Sequence, residues 1–171
     1  VIGVNGSAFD YGTGQPSPLG MCIKNGTLYG DYMTSYSVMA VKNDGTIYTP
    51  AQGLMGKDLL KAGVKDTYNF GTVLIQNGEA QLPWAETEKY YPRTAVGMVK
   101  PNDSILLVTD TGSYSGLNHW DMVNIFSSYG CTYAYNLDGG GSATLYFNGS
   151  VMNNLIGGVQ RPCADFLYFT R

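Results

Sequence analysis

The run Tyr135-Asn136-Leu137-Asp138-Gly139-Gly140-Gly141-Ser142 sets a carboxylate at the end of an apolar stretch, followed by three glycines and a hydroxyl. Consecutive glycines cost backbone entropy and contribute no packing. They are useful where the chain must take positive φ or where a ligand must come close to its N–H groups. A carboxylate beside exposed amides and a serine can join acid/base work to anion contact. The plain alternative is a tight turn carrying a solvated aspartate. Arginine is the second signal: Arg93, Arg161 and Arg171 stand against seven lysines. Where lysine supplies the generic charge, interior arginines are candidates for bidentate anion binding, with a structural salt bridge as the alternative for each. Arg93 sits in Tyr91-Pro92-Arg93-Thr94-Ala95-Val96-Gly97 and Arg161 in Gly157-Gly158-Val159-Gln160-Arg161-Pro162.

Other chemistries are narrowed by what the chain offers. Its one histidine, His119, would have to serve any Ser-His-Asp triad, and a histidine-based metal site is excluded. Its place in the first turn of a helix beside Trp120 suits a surface or capping role. Gly140-Gly141-Ser142-Ala143-Thr144 is not a G-x-S-x-G elbow, and no Lys-Ser/Thr pair follows the glycines as a P-loop requires. Cys22, Cys131 and Cys163 are widely spaced with no CxxC pair, which reads as small buried hydrophobes and leaves one disulfide open.

The elements that position these residues are mostly strands. Asn25-Gly26, Asp44-Gly45, Asn77-Gly78 and Asn148-Gly149 each lie between short apolar or β-branched runs, a hairpin signature. The implied pairs are 21–24 with 27–29, 36–42 with 46–48, 72–76 with 79–81 and 144–147 with 150–152. Residues 94–99 and 104–109 pair around Pro101-Asn102-Asp103, and a closing strand covers 165–170. A helix is expected over 119–129, with Asn118 as N-cap and Gly130 after its end, and a shorter one over 57–62. The order strand 104–109, helix, strand 131–137 resembles a βαβ crossover with parallel strands, which would bring Asp110 and Asp138 to one crevice. The expected fold is α+β (mixed α/β): one β-rich domain over residues 1–171, with a mixed sheet, several hairpins and one main crossover helix near 119–129. The chain opens on a strand already in progress, so a domain trimmed at its N-terminus is expected.

At 171 residues with 13% charged side chains and a net charge of −3, the composition fits a compact domain rich in tight turns. No basic footprint points to nucleic acid, and no apolar stretch reaches membrane-span length. The sequons at Asn5, Asn25, Asn102 and Asn148 are explained as well by turns as by glycosylation. Nothing in the composition sets an oligomeric state.

Pro92-Arg93-Thr94-Ala95-Val96-Gly97, Asn136-Leu137-Asp138-Gly139-Gly140-Gly141-Ser142 and Gln160-Arg161-Pro162 together resemble the phosphodiester glycosidase family. Asn5-Gly6-Ser7-Ala8-Phe9-Asp10 is similar to the family's opening motif. Ser115-Gly116-Leu117, leading into a helix and Gly130, also fits. The match runs in order along essentially the whole chain. One departure is Asp110, followed here by Thr111-Gly112-Ser113 where the family usually has Gly-Arg. The resemblance implies hydrolysis of a sugar-1-phosphodiester in a secreted or cell-surface glycoconjugate, such as a cell-wall glycopolymer or exopolysaccharide. It implies catalytic roles for Asp138, Asp110 and Arg93, and substrate contacts from Arg93, Thr94, Arg161, Asn136, Gly139, Gly140, Gly141, Ser142 and Asn5. A phosphodiester's single negative charge can be held by an arginine fork and backbone amides, so no cofactor is implied. A divalent cation such as calcium held by Asp138 and Asp110 is the alternative, as a metal-dependent phosphodiesterase; a non-catalytic carbohydrate- or phosphate-binding module is another.

Overall fold

The computed structural model describes residues 1–12, 14–81, 89–109 and 116–170. Strands β1 (Ile2–Asn5), β2 (Phe9–Asp10), β3 (Ser17–Pro18), β4 (Cys22–Lys24), β5 (Thr27–Gly30), β6 (Val38–Lys42) and β7 (Ile47–Tyr48) lead to helix α1 (Gly56–Lys61). Then come β8 (Val64–Asn69), β9 (Val73–Gln76), β10 (Glu79–Ala80), β11 (Thr94–Lys100), β12 (Asp103–Val108) and helix α2 (His119–Ser128). The chain closes with β13 (Tyr133–Leu137), β14 (Leu145–Phe147), β15 (Ser150–Val151) and β16 (Phe166–Phe169). The fold is β-rich: five sheets and two α-helices among the described residues. Neither helix is long and apolar enough to cross a membrane.

Three sheets build the body, in the orders β15-β14-β1-β16, β10-β9-β13-β11-β12 and β7-β6-β8. Period-two alternation sends successive side chains to opposite faces. On β13, Tyr133, Tyr135 and Leu137 enter the central core with Val96 and Met98 of β11, Met39 and Val41 of β6, and Val4 of β1. The intervening Ala95 and Ala134 face α2 and pack with Met122, Val123 and Phe126. Ala40 of β6 faces the other way, onto Met21, Ile23 and Leu59 under α1. Each of these two sheets is therefore covered on both faces.

The hairpins lie where the Asn-Gly pairs predict them. Asn25 and Gly26 have φ of 48° and 73°, Asn77 and Gly78 54° and 81°, and Asn148 and Gly149 44° and 97°. Two consecutive left-handed residues make the type I′ turn whose twist matches its flanking strands. Helix α2 carries the expected cap as a reciprocal box: the Asp121 N–H donates to Asn118 Oδ1 (2.8 Å) and the Asn118 N–H donates to Asp121 Oδ2 (3.2 Å).

The mixed sheet is a correction. Every strand pairing among the described residues is antiparallel. β12 and β13 do run in the same direction, but β11 lies between them and is antiparallel to both. The β11–β12 hairpin fills the position beside β12, so the α2 crossover has to pass over β11 before the chain re-enters the sheet. Small residues on β11 make room for it: a Cβ on Gly97 would run into Phe126 and Cys131. Phe126, with no exposed surface, fills that space. Phe126→Ala is expected to cost about 3–5 kcal/mol, read as a lower urea midpoint at unchanged slope.

Candidate active site

Three strand ends meet where β1 stops, β11 begins and β13 ends. The Asn5 carboxamide holds them together. Its Nδ2 donates to the Asp138 carbonyl (2.6 Å), and its Oδ1 accepts from the Thr94 hydroxyl (2.7 Å) and the Thr144 N–H (3.1 Å). The Asp138 N–H donates to the Gly6 carbonyl (3.0 Å). Neither Asn5 nor Thr94 has exposed surface. Both were expected to contact substrate; full burial and mutual bonding instead make them the residues that position the bend.

Beyond Asp138 the chain forms one 3₁₀ turn, Gly140–Ser142. Gly140 takes positive φ (57°) with open space around it, whereas Gly139 and Gly141 allow close approach. A Cβ on Gly139 would run into the Pro92 carbonyl, and one on Gly141 into the Arg161 guanidinium. The Gly139 N–H donates to Asp138 Oδ1 (2.9 Å), the Gly140 N–H to the Pro92 carbonyl (2.9 Å) and the Ser142 N–H to the Gly139 carbonyl (3.1 Å). The expected cradle of glycine amides is therefore largely committed to the bend itself. Side chains are the remaining candidates for anion contact. Arg161 lies against Gly141, and its Nη1 donates to Ser142 Oγ at 3.4 Å.

Asp138 is half-buried, and loss of hydration raises its pKa above the ordinary carboxylate value. A hydrogen bond from Ser142, the Gly139 amide and the charge of Arg161 pull the other way, while the charge of Asp165 adds to the rise. Asp138, Ser142 and Arg161 are thus one electrostatic unit.

Arg93 is placed differently. Its Nε donates to the Leu117 carbonyl and its Nη2 to the Lys89 carbonyl, both at 3.0 Å, and its guanidinium lies over the Tyr91 ring. It lines a cavity of about 240 Å³ with Lys89, Tyr91 and His119. The two guanidiniums have different described partners, the Leu117 and Lys89 carbonyls for Arg93 and the Ser142 hydroxyl for Arg161. His119, expected in a surface or capping role, is buried at the start of α2 and lines that cavity. Asn136 is buried on β13, and its Oδ1 meets no partner among the described residues. Asp110 lies outside the described residues.

The phosphodiester glycosidase sequence profile matches residues 1–170. The chain belongs to the phosphodiester glycosidase family. It is 31% identical over 160 residues to the SPbeta prophage-derived uncharacterized protein YomE of Bacillus subtilis (strain 168), covering 87% of this chain and 25% of that protein. Its fold matches the catalytic domain of zebrafish N-acetylglucosamine-1-phosphodiester alpha-N-acetylglucosaminidase, auto-inhibited by its pro-peptide. That match has a TM-score of 0.73 and 27% identity, covering 90% of this chain and 55% of that one. A hypothetical protein from Synechocystis shares the fold at TM-score 0.60 and 14% identity, over 95% of this chain and 50% of that one. The chain thus spans about a quarter of the prophage protein and about half of each solved structure.

Two residues near the candidate site escape a reading of the motifs. Asp165 accepts from the Ser7 N–H (2.6 Å) and hydroxyl (2.7 Å), and pairs with Lys24 Nζ at 2.7 Å. Cys163 is half-buried, and all three thiols are free. Burial raises the Cys163 pKa, opposed by hydrogen bonding to Ser142, and the charges of Asp138, Arg161 and Asp165 all act on it. Both residues follow Arg161 within four positions, so the available signal was the continuation of the Gln160-Arg161-Pro162 segment into a cysteine and a carboxylate.

Because burial raises the Asp138 pKa, the folded chain binds this proton more tightly than the unfolded chain does. The group favours the fold below the ordinary carboxylate pKa, and that contribution is lost as pH rises through the raised folded value. Asp138→Asn, neutral throughout, is expected to melt above the wild type at pH 7. Thermal melts should show the difference shrinking as pH falls from the raised folded value toward about 4, and absent below it. A gap independent of pH would contradict the assignment.

Proposed function

We propose that this chain hydrolyses the bond between a sugar's anomeric carbon and a phosphodiester oxygen, releasing the sugar and a phosphate monoester. The observation that carries this reading is the unit formed by Asp138 and Ser142 at one strand-end bend and the Arg161 guanidinium that a separate segment lays against it. The guanidinium and the hydroxyl suit the diester's single negative charge. The adjacent carboxylate suits the oxocarbenium-like centre that forms when the sugar C–O bond breaks, which it can stabilise, attack or supply with activated water. The leaving phosphate monoester needs little protonation, in keeping with a chain that has one histidine. Arg93, in its own cavity, and Asp110 are the second guanidinium and second carboxylate of the proposal. The zebrafish relative is named for an N-acetylglucosamine-1-phosphodiester, which makes that linkage the first substrate to assay. A secreted or cell-surface glycoconjugate, cell-wall glycopolymer or exopolysaccharide is the proposed natural context.

With a methyl phosphodiester of N-acetylglucosamine-1-phosphate, Asp138→Asn should lower kcat by roughly 10²–10⁴-fold, with the fold retained by circular dichroism. Full activity of that variant would overturn the reading. Arg161→Ala should raise KM about 10–100-fold, as expected for hydrogen bonds to a charged group, with a smaller effect on kcat. Release of free sugar should be unaffected by a chelator; chelator-sensitive release of sugar phosphate would instead indicate metal-dependent P–O cleavage.

A further inference from the structure

A cavity of about 270 Å³ opens between the 31–37 loop and the 49–54 segment, and it shares no lining residue with the Asp138, Ser142 and Arg161 unit. Both walls are pinned. The Tyr135 hydroxyl donates to the Ser37 carbonyl (2.7 Å), Thr49 Oγ1 bonds the Tyr133 hydroxyl (2.7 Å), and Asp31 Oδ1 accepts from the Gly56 N–H (2.8 Å). Tyr36 stacks on Phe70 with centroids 6.0 Å apart and 11° between planes, which fixes its ring. Tyr32, Met33 and Leu54 expose apolar surface around the mouth.

Asn69 lines the same cavity and is 1% exposed. Its N–H donates to Ser7 Oγ (3.2 Å), its carbonyl accepts from the Ala8 N–H (2.7 Å), and its Nδ2 donates to the Met21 carbonyl. The carboxamide is therefore held through its nitrogen, and Oδ1 meets no partner among the described residues. A buried acceptor of this kind is satisfied by an ordered water or by a donor on a bound ligand. None of the described residues lining the cavity carries a charge, so an anion would be buried without a counter-charge. A wholly apolar ligand would leave the Asn69 oxygen stranded. The volume falls just below the range usual for drug-sized ligands, as suits a single ring.

We propose that this cavity is a second carbohydrate site, which takes one uncharged sugar ring with a hydroxyl donating to Asn69 Oδ1 and a ring face against Tyr32 or Tyr36. The site goes beyond the phosphodiester reading, because a neutral sugar has no scissile phosphate and its binding is measured independently of turnover. The test titrates the full chain with methyl glycosides of N-acetylglucosamine, glucose and galactose, following the Met33 methyl and the Tyr32 and Tyr36 ring resonances by NMR. At least one glycoside should give saturable shifts. Tyr36→Ala should weaken that binding at least tenfold while leaving phosphodiester turnover unchanged. Tyr32→Ala, at a more exposed ring, serves if the Tyr36 variant fails to fold. No saturable shift with any of the glycosides, or wild-type binding by a folded variant, would overturn the proposal. A water retained on Asn69 Oδ1 in sugar-soaked crystals would overturn it as well.

Discussion

The site depends on one buried carboxamide. Asn5 joins the end of β1 to the start of β11 through Thr94, to the end of β13 through the Asp138 carbonyl, and to the next segment through Thr144. These residues are 89, 133 and 139 positions away from it in sequence. Asparagine is suited to this task because its amide donates from one end and accepts at the other. An aspartate would lack the donor, and a leucine would leave several buried groups unpaired, each costing about 1–3 kcal/mol. A side chain with no solvent contact thus determines where the Asp138 carboxyl emerges.

Much of the β-structure was legible because its signals are local. The Asn-Gly turns need left-handed backbone at both positions, and few other dipeptides adopt it readily. The cap of α2 was visible in Asn118 for the same reason. β8 was not, because Lys65-Asp66-Thr67 reads as surface. Thr67 is buried only because its hydroxyl accepts from the Ile23 N–H (2.9 Å) and donates to the Met21 carbonyl (2.9 Å), partners supplied by β4 and its approach. Which strand neighbours which was also hidden: β12 and β13 share a direction, but the hairpin partner that separates them is set by the turn at Asn102 (φ 61°) and by the room that Gly97 leaves for Phe126.

For the site, residue types were legible and their uses were less so. Glycine was needed at 139 and 141, but to admit the Pro92 carbonyl and the Arg161 guanidinium rather than to present amides. Asn5 and Thr94 belong to the same constellation, as supports. Arg93 and Arg161 read alike in sequence, and only tertiary contacts separate a guanidinium held on Leu117 and Lys89 from one lying on the bend. Residues that act through another residue carry no chemical signature of their own.

Arg161 itself is on an exposed segment, which raises the question of what holds it in place. On its N-terminal side Gly157 and Gly158 take φ of 67° and 70°, a backbone in which most side chains would be strained. On its C-terminal side the chain is tied down four residues later at Asp165. That carboxylate is bonded to Ser7 and paired with Lys24, whose ammonium also donates to the Thr67 carbonyl (2.7 Å) and lies 3.5 Å from the Tyr68 ring centroid. Asp165 is the buried partner and Lys24 the part-exposed one, so removing Lys24 leaves the buried carboxylate without its counter-charge. Ser7 lies two residues past Asn5, so the support for the carboxyl and the anchor for the guanidinium's segment leave from the same end of β1. The spacing between acid and cation is thereby set by a short rigid stretch of backbone, and the exposed loop needs only to carry the arginine.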